Sequence, residues 1–439
     1  MKKLTRRTVL KGGTAIAGGM AAILASGRAP AFAQGTTVHW LRWNDFVPTS
    51  DKVLREQIVP AAAKDLGITL NIEMINGNDI QARTTAAIQS GTGPDVICAL
   101  NNWPQLYADS LADVSEVAEK LGKDQGGYYK ESIAVANDGK KWLGVPWCIL
   151  GNENAYRKSW FEAVGHSKFP TTWDEYRDAG KKLKAKGQPL GQALGHSFGD
   201  PPTFAYPFLW DFGGAEVDTT GKKVVINSKG TLESVKFLQS FWKDACDEGG
   251  LAWDDTNNNR AFHAGEISAT LNGASIYIVA KRQKDKIKDE KGEPLFQDIE
   301  HAALMPKGPA GQFALYGGQQ HSIMKYSKNQ KLAKDFLKWL HQDANYGKWF
   351  EVNEGYSVGA TKKWEEHPMW GKIDKQLQVF RQAARKTFAF GHPGPATGKA
   401  TEAYTKYIIV DMYAKAVQGM KAEDAVKWAE TELKKIYEG

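Results

Sequence analysis

Cysteine is scarce in this chain: Cys98, Cys148 and Cys246 are the only three thiols in 439 residues. No Cys-x-x-Cys pair and no Cys/His cluster has metal-ligand spacing, so neither a metal site nor a disulfide framework is expected. Cys98 stands in an apolar run and reads as a small buried hydrophobe. Cys148 and Cys246 could pair in an oxidising compartment, which their spacing leaves open. Past residue 33 no apolar run approaches the roughly eighteen residues of a membrane span. An excess of one charge is missing too, once the N-terminus is set apart. The chain counts 57 basic and 50 acidic residues, but Lys2, Lys3, Arg6, Arg7, Lys11 and Arg28 precede residue 34 and no acid does, leaving 51 against 50. Such a balance carries no electrostatic footprint for nucleic acid. The locally basic run 281–291 is broken by Asp285, Asp289 and Glu290 and reads as a solvated helix end or loop.

What the N-terminus does have is an export signal. Thr5-Arg6-Arg7-Thr8-Val9-Leu10-Lys11 matches the twin-arginine pattern, with Val9 where Phe is commoner. A Gly- and Ala-rich stretch (12–25) follows, and Ala31-Phe32-Ala33 supplies the small-x-small cleavage pattern. The mature protein is expected to begin near Gln34, without a lipid-anchoring cysteine, as a soluble periplasmic protein.

About 405 residues then remain, enough for two domains. Segments 37–41, 68–75 and 94–100 read as strands, 51–65 and 79–89 as helices between them. That alternation predicts an α/β fold with helices on the faces of a parallel sheet. Thr172-Trp173-Asp174-Glu175 has the form of a capping box at a helix start, and 331–340 and the stretch through Val426, Ala429, Leu433 and Ile436 are amphipathic helices. No linker of low complexity appears, so two domains would be joined by a hinge.

Catalytic motifs fail on inspection. Gly195-His196-Ser197-Phe198-Gly199 fits the nucleophile elbow of serine hydrolases, but Asp200-Pro201-Pro202 follows, and two prolines are poorly placed to continue the helix an elbow requires. Gly394 to Ala400 is one residue short of a phosphate loop and lacks its hydroxyl. No His-Glu-x-x-His occurs, and Asp254-Asp255 are sequence neighbours, not carboxylates facing each other across a substrate.

Tryptophan is in excess, with fifteen. Trp40, Trp43, Trp103, Trp147, Trp210 and Trp253 fall at strand ends or in loops, beside Asn, Asp, Gly or Pro. Flat rings edged by polar groups suit a sugar, whose C–H faces stack while its hydroxyls hydrogen-bond. Packing is the other reading of each ring; as a group they point to a polar, ring-shaped ligand.

In series, several segments resemble the extracellular solute-binding proteins, family 1, which deliver carbohydrates to ABC importers and include maltose-binding protein. Ser90-Gly91-Thr92-Gly93-Pro94-Asp95-Val96 is similar to the family's lead into its third strand. Gly144-Val145-Pro146-Trp147, Tyr156-Arg157-Lys158 and Phe169-Pro170-Thr171-Thr172-Trp173 resemble its first crossover and the helix after it. Ala261-Phe262-His263-Ala264-Gly265-Glu266 with Asn272-Gly273-Ala274-Ser275, and Met305-Pro306-Lys307-Gly308-Pro309, resemble later segments. The resemblance implies two doubly wound lobes joined by a hinge: residues 34–146 and 308–354 in one, 147–307 and 355–439 in the other. It implies no catalysis, no cofactor and no metal. The partners it implies are a neutral sugar or polyol and the permease subunits of an ABC transporter, met by a monomer.

In such sheets ligands bind beyond the carboxyl ends of strands. The candidate site is therefore Trp43, Asn44, Asp45, Asn102, Trp103, Trp147, Asn152, Asp200, Thr203, Asn272, Gly273, Ser275, Gly317, Gly318, Gln319 and Tyr356. Trp43 and Trp103 are expected on either side of one ligand. Asn102-Trp103 departs from the acidic-basic pair of maltose-binding protein, which argues against maltose. Asn272 to Ala274 reads either as a helix start with free amides or as a tight turn. Gly317-Gly318 marks a close approach to ligand or a turn of positive φ. Two other readings stay open. A secreted carbohydrate-active enzyme would need opposed carboxylates, and a polyamine-type cation binder would need several acids at the strand ends, where Asp45 and Asp200 are exceptions among Asn, Gln and Gly.

Overall fold

A computed structural model describes residues 36–151 and 153–439. The twin-arginine leader, its cleavage site and Asn152 lie outside the described residues. In chain order the strands are β1 Thr37–Trp43, β2 Thr69–Ile75, β3 Val96–Leu100, β4 Val145–Leu150, β5 Glu153–Arg157, β6 Ala269–Asn272, β7 Ile299–Ala302, β8 Gly317–Ile323 and β9 Ser357–Gly359. They form a six-stranded sheet, β2-β1-β3-β8-β4-β9, and a three-stranded sheet, β6-β5-β7. β1 runs parallel to β2 and β3, while β8 is antiparallel to both β3 and β4. Residues of β3 are buried throughout, as its unbroken apolar run requires of a strand covered on both faces. β2, at the sheet edge, alternates and keeps surface exposed.

The helices between these strands start where local chemistry dictates. Asn76 Oδ1 accepts from the Asn78 amide and opens the helix Gly77–Ser90, which ends on Gly91 at φ 66°. The capping box is present: Thr172 Oγ1 accepts from the Glu175 amide at 3.2 Å and Glu175 reaches back to the Thr172 amide, starting the helix Trp173–Lys184. One expectation is overturned. The helix Asp200–Asp211 begins directly after Gly199, with Pro201 and Pro202 in its first turn. Prolines are compatible with this helix start because first-turn amides have no carbonyl partner to lose.

The chain crosses between sheets later than the sequence suggests. Trp147–Leu150, expected in the second lobe, complete β4 of the larger sheet, and Ser357–Gly359 pair with that same strand. The crossover therefore falls between Leu150 and Glu153, where the next strand, β5, pairs with β6 and β7. Aromatic residues fill both lobes: Trp40, Trp147, Phe336 and Trp349 in the first, Trp173, Phe208, Phe241 and Tyr413 in the second, all buried. All three cysteines are free and buried, Cys148 in β4 and Cys246 closing the helix Lys229–Ala245 of the other lobe. Among the described residues no helix is long and apolar enough to cross a membrane.

Candidate functional site

Between the two sheets lies a cleft lined from both lobes. The larger lobe contributes Trp43 from the end of β1, Leu100 and Asn101 after β3, Leu150 and Gly151 after β4, the start of β8 at Gly317, Gly318 and Gln319, and Tyr356 just before β9. From the smaller lobe come Phe198, Gly199, Asp200 and Thr203 at one helix start, Asn272, Gly273 and Ser275 at another, and Asp255 and Asn259. Trp43 is the aromatic floor; its ring stands 5.5 Å from Phe198 and 5.6 Å from Phe46, both edge-on.

The two walls differ in polarity. On the larger lobe, Trp43 Nε1 and Gln319 Nε2 are buried donors without a hydrogen-bond partner among the described residues. Opposite them, Asn259, Asn272 and Ser275 form a closed triangle: Ser275 Oγ donates to Asn272 Oδ1 at 3.0 Å, Asn259 Nδ2 reaches Ser275 Oγ at 3.2 Å, and Asn272 Nδ2 donates to Asn259 Oδ1. Beside this triangle sit two carboxyls. Asp255 accepts from Ser197 Oγ, from the Asp200 amide at 2.7 Å and from the Gly199 amide at 3.2 Å. Asp200 accepts from Asn258 Nδ2 at 2.6 Å. Burial, then the neighbouring Asp255, pushes Asp200 well above the carboxylate range; burial also raises Asp255 against its three donors.

Of the expected site residues, Trp43, Asp200, Thr203, Asn272, Gly273, Ser275, Gly317, Gly318, Gln319 and Tyr356 meet at this cleft. Asn44 and Asp45 instead line an adjoining recess that shares Trp43 and Phe198 with the cleft. Asp45 there faces Arg42 at 3.8 Å, and its pKa is raised to about 6, chiefly by burial. Three expectations are corrected. Asn102 is fully buried and ties down the C-terminal segment, donating to the Phe390 carbonyl at 2.9 Å and accepting from Thr401 Oγ1 at 3.0 Å. Trp103 does not face Trp43 across a ligand; it lies behind Phe198, 6.2 Å from that ring. Trp147 is core, packed on Trp349 at 4.4 Å and Tyr346 at 4.6 Å.

The helix Ser275–Arg282 does begin at the cleft, leaving its first amides without intrahelical partners. Gly318 is not at positive φ, which removes the turn reading, and an added Cβ there would stand 2.1 Å from the Tyr316 ring. Sequence reasoning missed Phe46, Phe198, Asp255 and Asn259. Phe198 was hidden inside the Gly-x-Ser-x-Gly motif, whose Ser197 is buried and bonded to Asp255. The polar run Asp254 to Asn259 was the available signal for the last two.

Three comparisons bear on this geometry. The family model described as bacterial extracellular solute-binding protein matches residues 57–376. A diacetylchitobiose binding protein of Streptomyces coelicolor is 24% identical over 388 residues, 83% of this chain and 82% of that one. Among solved structures, a maltose-bound protein of T. maritima superposes with a TM-score of 0.75 at 20% identity, covering 91% of this chain and 99% of its own. A sugar transporter protein of Arthrobacter chlorophenolicus with bound laminaribiose gives 0.75 at 19% identity, covering 91% and 99%. At these identities the structural likeness establishes the two-lobed fold.

Proposed function

Because this chain belongs to the bacterial extracellular solute-binding proteins, we propose that it captures a carbohydrate, a sugar or polyol, in the cleft between its lobes and delivers it to an ABC importer. One observation carries the reading: aromatic rings and buried, unpartnered donors converge with carboxyl and amide groups from the opposite lobe on a single cleft. Rings stack on the C–H faces of a sugar and the polar groups take its hydroxyls. The diacetylchitobiose, maltose and laminaribiose in the descriptions of the similar proteins support a carbohydrate.

A ligand touching both walls favours the closed arrangement by its greater affinity for it, and the closed form is what the permease subunits would read. The chain then acts as a monomer, exported through its twin-arginine leader, and does no chemistry on its ligand. A thermal-shift screen of sugars and polyols on the mature protein tests this. A carbohydrate should raise the melting temperature, since a ligand bound only to the folded state stabilises it by mass action. A shift with a peptide or a simple polyamine and none with any carbohydrate would overturn the proposal.

A further inference from the structure

Lining the cleft among the described residues are two carboxyls and no Lys, Arg or His. Asp200 and Asp255 stand side by side at one helix start, the Asp255 carboxylate receiving the Asp200 amide at 2.7 Å. The other charged or titratable groups acting on the pair are Asp254, whose own nearest cation is Arg260, and the phenols of Tyr356, Tyr404 and Tyr407. Arg42, buried in the larger lobe, acts on Asp45 and Asp51. Burial raises both carboxyls, and the neighbouring Asp255 raises Asp200 further, so the pair favours a protonated form. The larger lobe brings to the cleft two donors that are buried and unpartnered among the described residues, Trp43 Nε1 and Gln319 Nε2. The two unpartnered donors of the larger lobe ask for acceptor oxygens, and the carboxyl pair of the smaller lobe for a group rich in donors.

We propose that the solute is a carbohydrate bearing a protonated amine, an amino sugar or amino-substituted cyclitol, with its ammonium against Asp200 and Asp255 and its oxygens toward Trp43 and Gln319. This rests on the carbohydrate reading above and replaces the expectation of a neutral ligand. An ammonium supplies three donors and no acceptor, which the Asn258-bound Asp200 carboxyl and its neighbour can accept. It also supplies a positive charge that no basic residue of the lining provides, and aromatic residues line the same cleft. When the ammonium enters, the proton held by the pair leaves to solvent, so binding releases a proton.

The test uses matched sets on the mature protein: glucosamine, N-acetylglucosamine and glucose, then the β-1,4-linked dimers of the same three. The free-amine member should bind at least about tenfold more tightly than its hydroxyl and N-acetyl counterparts, as a charge-assisted bond exceeds a neutral one. Calorimetry in buffers of different ionisation enthalpy should show proton release for the amine alone. Asp200→Asn should reduce the amine preference to within about threefold. Equal affinity across a set, or preference for the N-acetyl member, overturns the proposal and leaves the carbohydrate reading standing. Failure of all six to bind overturns the proposal as well, and the wider screen of sugars and polyols then decides the carbohydrate reading separately. The wild-type comparison decides the matter whether or not the variant folds.

Discussion

Trp43 and Trp147 are both nearly inaccessible, yet their neighbours give them different work. Trp43 touches the cleft, while Trp147 packs in the core against Trp349, Tyr346 and two histidines. Removing the Trp43 ring deletes a stacking surface worth roughly 1–3 kcal/mol, so Trp43→Ala should weaken carbohydrate binding about ten- to a hundredfold. Trp147→Ala should instead cost about 3–5 kcal/mol of stability through the cavity it leaves, with affinity unchanged in the molecules still folded. Urea unfolding alongside ligand titration separates the two; equal affinity losses in both variants would contradict the assignment. Six tryptophans at strand ends looked alike in sequence, and Trp43 is the one of those six that reaches the cleft. A strand end fixes which way the chain turns, not what covers the ring.

At the scale of elements, caps are local and buried ties are not. Thr172→Ala removes the capping box of Trp173–Lys184 and should lower stability by about 1 kcal/mol, seen as a shift in the urea midpoint at unchanged slope. Glu216 ties two helices together, accepting from Tyr437 Oη at 2.9 Å and Tyr206 Oη at 3.3 Å. Burial raises its pKa to about 7. Because the folded value lies above the unfolded value of about 4.3, the unfolded state gives up its proton first as pH rises. Stability contributed by the retained proton is complete below the unfolded value, falls between it and about 7, and levels off above. Wild type should therefore lose stability relative to Glu216→Gln as pH is raised over that window. A difference between the two that stays constant with pH would show that Glu216 titrates normally.

For the molecule as a whole, the lobes also meet outside the cleft. Arg282, at the end of the smaller lobe's helix Ser275–Arg282, crosses to the larger lobe. It donates to the Val352 carbonyl and to Glu354 Oε1, each at 2.8 Å, and to Thr49 Oγ1. On the other side the Phe198 amide donates to Asn78 Oδ1 at 3.1 Å. Arg282→Ala removes bonds that link the lobes in this arrangement, so, if closure uses them, it should weaken ligand affinity roughly threefold to tenfold without touching the cleft. The loss should appear mainly as faster dissociation in stopped-flow traces. An unchanged dissociation rate would mean that Arg282 does not contribute to closure.

Strand and helix positions were legible because each depends on neighbours in sequence: the apolar run of β3, the Thr172-x-x-Glu175 box, the Asn-Gly-Ala start of the helix at Ser275. Two lobes and a cleft at the strand ends followed from that order and from the family resemblance. Which side chains meet in the cleft was decided by tertiary structure alone. Asp255 and Asp200 are 55 positions apart and become neighbours because the turn before Asp200 folds onto the Asp255 carboxylate. Phe198 reaches Trp43 because Asn78 and Tyr404 grip its backbone. Asn102 and Trp147 left the site because the chain that covers them, Phe390 and Thr401 for one and Tyr346 and Trp349 for the other, comes from hundreds of residues downstream. Local rules act over a turn or two of chain; burial depends on every segment that arrives.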